Sequence, residues 1–113
     1  MSVSVIAQIT EEAKQIDIQT YNLYTAAKWD ELIDAGNKAI GSGIDFYYLR
    51  MRLGIAYYNQ KNYMSAEGHF KQALEYVPKD PAAYEYLYWS LIFAGRDREA
   101  RLLASEMPEK LKT

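Results

Sequence analysis

A short stretch in the middle of the chain constrains the fold more than the rest of the sequence. Its members are small or apolar residues at helical spacing, followed by a proline: Leu53, Gly54, Tyr57, Ala66, Phe70, Ala73 and Pro78. Residues three and four apart lie on one side of an α-helix, so the spacing predicts two amphipathic helices. A proline cannot continue the second helix. The stretch therefore predicts an antiparallel helix pair joined by residues 60–62.

The same positions resemble the tetratricopeptide repeat, a helix-turn-helix pattern that recurs about every 34 residues. Shifting the frame by one period gives weaker copies on both sides, with repeats at 13–46, 47–80 and 81–108. The resemblance implies an all-α fold, a right-handed superhelical stack of three antiparallel helix hairpins. Only the middle repeat follows the family pattern closely, and an ordinary antiparallel helix pair remains the alternative.

We expect one domain over residues 13–113, preceded by a leader over residues 1–12. Six helices are predicted near 10–25, 29–40, 46–59, 63–76, 81–94 and 97–106. Capping residues support four of the helix starts, because their side chains can accept bonds from the first free N–H groups: Thr10, Asp45, Asn62 and Asp80. The alternating tyrosines over 84–88 are also typical of a strand, but their position in the repeat favours a helix.

The outer repeats depart from the family pattern at two facing positions. The first helix of each has a larger residue in place of glycine, and the second helix has a small residue in place of phenylalanine. The expected facing pairs are Thr20 with Gly36, Gly54 with Phe70, and Tyr88 with Ala104. Because interiors are close-packed and tolerate changes that conserve volume, we interpret these pairs as compensating for each other.

Composition excludes several classes of function. The 113 residues carry a formal net charge of −2, so electrostatics do not favour nucleic acid or an anionic membrane surface as a partner. The chain has no cysteine, which excludes disulfides and thiolate metal sites. No segment is apolar over a length that spans a bilayer.

Catalytic chemistry has little support in the sequence. His69 is the only histidine, and no pattern of Ser, Asp or Glu marks it as a base or a metal ligand. The segment 41–43 has two glycines but lacks the preceding strand and the closing lysine of a phosphate-binding loop. We therefore expect no catalytic, metal or cofactor site, and a chain that is not an enzyme.

The resemblance also implies where binding should occur. In tetratricopeptide arrays the first helix of each repeat lines a concave groove, and here most of those positions are aromatic or aliphatic. The expected groove residues are Tyr21, Tyr24, Tyr48, Met51, Arg52, Ile55, Tyr86, Trp89 and Phe93. Ile18 and Glu85 hold further groove positions. We expect Tyr48, Ile55, Tyr86 and Trp89 to form one apolar patch beside Arg52; the alternative is that some of these rings pack between repeats.

Some family members use such a groove to hold the carboxylate tails of heat-shock chaperones. The lysine and asparagine positions that do so are here Asp17, Tyr21, Arg52, Ala82 and Tyr86, so only Arg52 could hold an anion. We therefore expect a protein-interaction scaffold that binds a helical or extended segment, from another protein or from a downstream part of its own longer chain. Two alternatives remain: self-assembly through an unfinished C-terminal face bearing Leu102, Leu103 and Met107, or an enzyme or small-ligand binder.

The N-terminus bears on localisation. Residues 2–8 resemble the end of a secretory signal peptide, although the basic start and most of the apolar segment are missing. The arrangement is similar to the amino-terminal repeat domains of some bacterial envelope proteins. This slightly favours an exported or periplasmic protein over a cytoplasmic one with a frayed leader.

Overall fold

The fold is all-α. The computed structural model describes the backbone of residues 3–107 and the side chains of residues 10–107. Its six helices are α1 (Val3–Thr25), α2 (Trp29–Gly41), α3 (Tyr47–Asn59), α4 (Tyr63–Tyr76), α5 (Pro81–Phe93) and α6 (Asp97–Glu106). Each helix packs on the next, and the described residues contain no strand. None of these helices is both long enough and apolar enough to cross a membrane.

The helix boundaries agree with the predicted ones to within one residue for α2 to α6. The first helix differs, because it begins at Val3 and so includes Thr10 in its interior. Thr10 therefore does not start α1, and the predicted border there is wrong. A leader is expected at residues 1–12. Residues 1–2 and the side chains of residues 3–9 lie outside the described part of the chain.

Two of the predicted helix caps are confirmed. Asn62 accepts a hydrogen bond from the N–H of Ser65 at 3.3 Å, and Asp80 accepts one from the N–H of Ala83 at 3.0 Å. Each bond satisfies a donor that a helix start leaves free. The cap predicted at Asp45 is wrong, because Phe46 precedes α3 and the Asp45 carboxylate is bound to an arginine instead.

The three hairpins close in the same way. The central residue of each turn has a left-handed backbone, with φ of 55° at Ala27, 63° at Lys61 and 78° at Gly95. The number of residues from the first of these positions to the second equals the number from the second to the third. In every case the next residue donates its N–H to a helix carbonyl 2.9 Å away: Lys28 to Leu23, Asn62 to Tyr57, and Arg96 to Leu91. The turn geometry thus repeats with the same period as the sequence pattern.

Helix α3 is the centre of the fold, since it contacts α1, α2, α4 and α5. Gly54 on α3 faces Phe70 on α4 so closely that a Cβ at Gly54 would lie 2.5 Å from the ring. Phe70 is fully buried, so this predicted small-to-large pair is confirmed. At Gly36 the nearest side chain is Leu53, from the following hairpin, rather than Thr20. The pairing of Tyr88 with Ala104 stays a prediction.

Candidate functional site

Large apolar side chains are exposed on several of the described helices, including Met64 on α4 and Leu102 on α6. In the described part of the chain, five of them lie on α1, α3 and α5, and all five hold predicted groove positions: Ile18, Tyr21, Tyr48, Trp89 and Phe93. Tyr48 is the most open of the five at 61% exposure. The odd-numbered helices therefore carry an aromatic surface in contact with solvent, at positions where the repeat frame places a groove.

An open pocket of about 270 Å³ lies between α1 and α3. Its lining consists of four tyrosines, two aliphatic side chains and an arginine: Tyr21, Tyr24, Tyr47, Tyr48, Met51, Ile55 and Arg52. Met51 and Ile55 are buried, so they form its inner side and are not exposed groove residues. These two side chains are buried because their helix, α3, is in contact with both α1 and α5.

Arg52 holds the two sides of this pocket together. Its Nη1 donates to the Asp17 carboxylate at 2.6 Å, to the Asp17 carbonyl at 3.1 Å and to the Thr20 hydroxyl at 3.1 Å. Its guanidinium carbon lies 5.4 Å from the centre of the Tyr21 ring and 5.6 Å from that of Tyr48. Both distances allow cation–π attraction, which holds the two exposed rings in place. Arg52 thereby fixes α1 against α3.

Part of the Arg52 guanidinium remains available. Among the residues described, Nε and Nη2 donate no hydrogen bond, although the group has five N–H donors. The side chain is 11% exposed and lines the pocket. Its free edge can therefore bind a carbonyl or carboxylate oxygen that enters the pocket.

A second aromatic cluster lies on α5. The rings of Trp89 and Phe93 stack with centroids 5.9 Å apart, and Phe93 also lies 5.2 Å from Tyr63 and 6.1 Å from Tyr58. Trp89 is 43% exposed. Trp89 belongs to this α5 cluster, whereas Tyr48 and Ile55 line the Arg52 pocket. The joining of Tyr48, Ile55, Tyr86 and Trp89 in one patch stays a prediction.

Tyr86 lies between the two clusters and is tied to the core. Its ring stacks on Phe70 at 5.1 Å and meets the edge of Tyr58 at 5.4 Å. Burial raises the pKa of the Tyr86 hydroxyl, and the nearby Tyr24 and Glu85 raise it further. Tyr86 is therefore part of the packing between α3, α4 and α5.

A polar network on the other side of α3 was not predicted from the sequence. Arg50 donates from Nε and Nη2 to the two oxygens of Asp45, at 2.8 and 2.6 Å. Its Nη1 lies 3.1 Å from Nδ1 of His69, whose ring stacks on Tyr57 at 5.4 Å. Burial, followed by the charge of Arg50, lowers the pKa of His69 to about 4. The imidazole is therefore neutral at pH 7, with Nδ1 accepting the bond from Arg50.

Glu67 forms another network that joins two hairpins. Its carboxylate is almost fully buried and accepts a bond from Lys71 at 2.7 Å and another from Arg96 in the turn before α6. Arg96 also binds Glu99 through Nη2 at 2.6 Å. A buried carboxylate needs such partners, so this network positions α6 against α4. In the described residues no group of three His, Asp or Glu side chains is arranged to hold a metal ion.

No family model, curated protein or solved structure matches this chain. A proposal about its function must therefore rest on the residues and contacts described above.

Proposed function

We propose that this chain is a protein-interaction scaffold of the tetratricopeptide type, which binds a helical or extended protein segment along α1, α3 and α5. The observation that carries the proposal is the set of exposed aromatic side chains on these helices. Exposed apolar surfaces of this kind mark interaction sites in soluble proteins. Tyrosine, tryptophan and arginine are also the residues most enriched among those that dominate binding energy.

The regular spacing of the helices supports the assignment to this repeat type. The second helices of the hairpins begin at Trp29, Tyr63 and Asp97, and α3 and α5 begin at Tyr47 and Pro81, so every step has the same length. The left-handed turn residues follow the same period. A period of about 34 residues with two helices in each unit is typical of tetratricopeptide repeats.

The groove is suited to bind a segment at a low cost in entropy. Tyrosine and tryptophan rings have few rotatable bonds, and Arg52 already holds the Tyr21 and Tyr48 rings. Apolar side chains of the segment would contact Tyr48 and Trp89. The free N–H groups of Arg52 would bind a backbone carbonyl or a carboxylate. The segment would belong to another protein or to this protein itself.

The test is a random peptide library displayed on phage and selected on the wild-type protein. Affinities of the selected peptides are then measured by fluorescence polarisation for Trp89→Ala and Tyr48→Ala. Removing an anchoring ring costs about 2 kcal/mol, which corresponds to roughly 30-fold weaker binding. The matched control is Met64→Ala on α4, because Met64 is 71% exposed but lies outside the groove helices. We expect this control to bind like the wild type.

A folding control separates the groove from the core. Phe70→Ala should destabilise the protein by about 3–5 kcal/mol, because the ring is fully buried against Gly54. Trp89→Ala should keep the circular dichroism spectrum and nearly the same melting temperature. If Trp89→Ala binds every selected peptide normally, or melts as early as Phe70→Ala, the proposed groove is wrong.

Self-assembly through α6 is a second candidate. Leu102 is 59% exposed, and Leu103 and Met107 are partly open, as the sequence predicted. An apolar terminal face in a repeat stack favours contact with a second copy. Sedimentation over a wide concentration range tests this. A dimer that Leu102→Glu dissociates would support self-assembly, whereas a monomer at all concentrations would exclude it.

A further inference from the structure

The aromatic surface of α5 carries a single charge. The sequence of α5, Pro81–Phe93, contains one acidic residue, Glu85, and no lysine or arginine. Glu85 is exposed and precedes Trp89 and Phe93 by one and two turns, so the three side chains lie along one side of the helix. None of the ion pairs formed within residues 10–107 involves Glu85.

The Glu85 carboxylate also acts on the hydroxyl groups of Tyr58, in the α5 cluster, and of Tyr86 beside it. Burial is the main cause that raises the pKa of the Tyr58 and Tyr86 hydroxyls, and the charge of Glu85 adds to it at both. Its negative charge therefore acts on the aromatic surface itself. A carboxylate beside exposed rings attracts a cation, because the ring faces are also electronegative.

Two arginines that could neutralise this charge are bound elsewhere. Arg52 is paired with Asp17, and Arg96 is paired with Glu67 and Glu99. The two ends of the groove consequently differ, with an arginine in the pocket between α1 and α3 and an unpaired carboxylate on α5.

We infer that the α5 end of the groove binds a lysine or arginine side chain of the bound segment, next to an apolar residue of that segment. This inference rests on the proposed function and specifies the partner of the same groove. The ammonium or guanidinium group would pair with Glu85 and lie over the face of Trp89. The adjacent apolar residue would contact Phe93 and Tyr63. The pocket between α1 and α3 offers no such unpaired carboxylate from Asp17, because Asp17 is paired with Arg52.

The library selected on the wild-type protein gives the first test. Peptides whose binding requires Trp89 should be enriched in lysine or arginine beside an apolar residue, and depleted in Asp and Glu. Glu85→Gln should weaken these peptides about 3–10-fold. Glu85→Lys should weaken them more than about tenfold and should favour versions in which glutamate replaces the cation. The control is Glu75→Lys, because Glu75 is exposed on α4 and the change alters net charge by the same amount.

Every result distinguishes the inference from the function on which it rests. If Trp89-dependent peptides show no basic preference, or if Glu85→Lys leaves their preference unchanged, the inference is wrong but the groove stands. If no selected peptide depends on Trp89 or Tyr48, both are wrong. If sedimentation shows a dimer that Trp89→Ala dissociates, a second copy occupies this surface, and the inference is also wrong.

Discussion

Arg50 and Arg52 lie two residues apart on α3, and each pairs with an aspartate close to aromatic rings, yet the two side chains differ in how many donors they use. Arg50 donates from Nε, Nη1 and Nη2, to Asp45 and His69. Arg52 uses Nη1 alone, for Asp17 and Thr20, and its other nitrogens donate no bond within the described residues. All three nitrogens of Arg50 are therefore bound within the protein, whereas Nε and Nη2 of Arg52 remain able to bind a ligand.

Of the changes that distinguish the two networks, Arg50→Met should lower the free energy of unfolding the most. This change keeps an unbranched apolar side chain but removes the guanidinium group, so Asp45 and His69 lose their main partner. Breaking one side of a partly buried ion pair should cost about 3 kcal/mol of unfolding free energy, while peptide affinity should not change. Urea unfolding followed by circular dichroism measures the loss, with Arg98→Met on the exposed side of α6 as the control. A loss equal to that of the control would contradict a structural role for Arg50.

Lowering the pH should weaken the Arg50 network, because that network contains the only histidine of the chain. The pKa of His69 is about 4 in the folded protein and near 6.5 when unfolded, so the unfolded state binds more protons between these values. The stability that His69 contributes is complete above pH 6.5 and is lost as the pH falls toward 4. After allowance for partial exposure, we expect a loss of about 2 kcal/mol.

Urea unfolding of the wild type at pH 7 and pH 4.5 would measure this loss, with His69→Gln as the comparison. The variant should show little change over that interval. Asp45 adds a further loss of stability only at lower pH, because the hydrogen bonds from Arg50 lower the pKa of its carboxyl group. If the wild type and His69→Gln respond equally to pH, the assignment to His69 is wrong.

Arg52→Met should have a smaller effect on stability and a larger one on binding. Asp17, its ionic partner, is half exposed, so we expect a loss of about 1–2 kcal/mol, mostly from the lost ring contacts and hydrogen bonds. Peptide affinity should fall roughly tenfold, because Tyr21 and Tyr48 lose the group that holds them. Unfolding and fluorescence polarisation on the same preparation would test both parts. Unchanged affinity would show that the free edge of Arg52 does not contact the ligand.

The smallest effect is expected from Asn62→Ala, which provides a baseline for both networks. It removes one neutral bond, to the N–H of Ser65, at an exposed helix start. Such caps contribute about 1 kcal/mol. Thermal unfolding should therefore shift by a few degrees, with no change in peptide affinity. A shift as large as that of Arg50→Met would mean that the turn before α4 carries more of the stability than its hydrogen bonds indicate.

Periodicity explains why so much of the fold could be predicted from the sequence. The borders of α2 to α6 follow from the repeat frame together with caps such as Asn62 and Asp80. Tyr21 and Trp89 hold the same place in the first and third hairpins, and both are exposed as this frame predicts. Ile55 holds that place in the second hairpin but is buried. The early start of α1 was missed, since the repeat pattern does not extend to residues 3–12.

Contacts between side chains could not be predicted in the same way. Asp45 and Arg50 are five residues apart across a helix start, and Arg50 and His69 belong to different helices, so the rotamers chosen in the folded state decide the network. Burial of Met51 and Ile55 depends on α3 having neighbours on both sides. The close approach of Leu53 to Gly36 likewise joins two hairpins, whereas the repeat pattern describes the inside of one.

The matching turns at Ala27, Lys61 and Gly95 have a consequence for how such a chain can change in length. Because the left-handed residue and its hydrogen bonds recur once in every repeat, a duplicated copy of residues 47–80 would begin and end at equivalent junctions. The aromatic face of the odd-numbered helices would then grow by whole steps of about 8–10 Å, the usual spacing of packed helices. Insertions of other lengths would place the next tyrosines and tryptophans on the wrong side. Such a protein can lengthen its exposed aromatic face only in whole repeats.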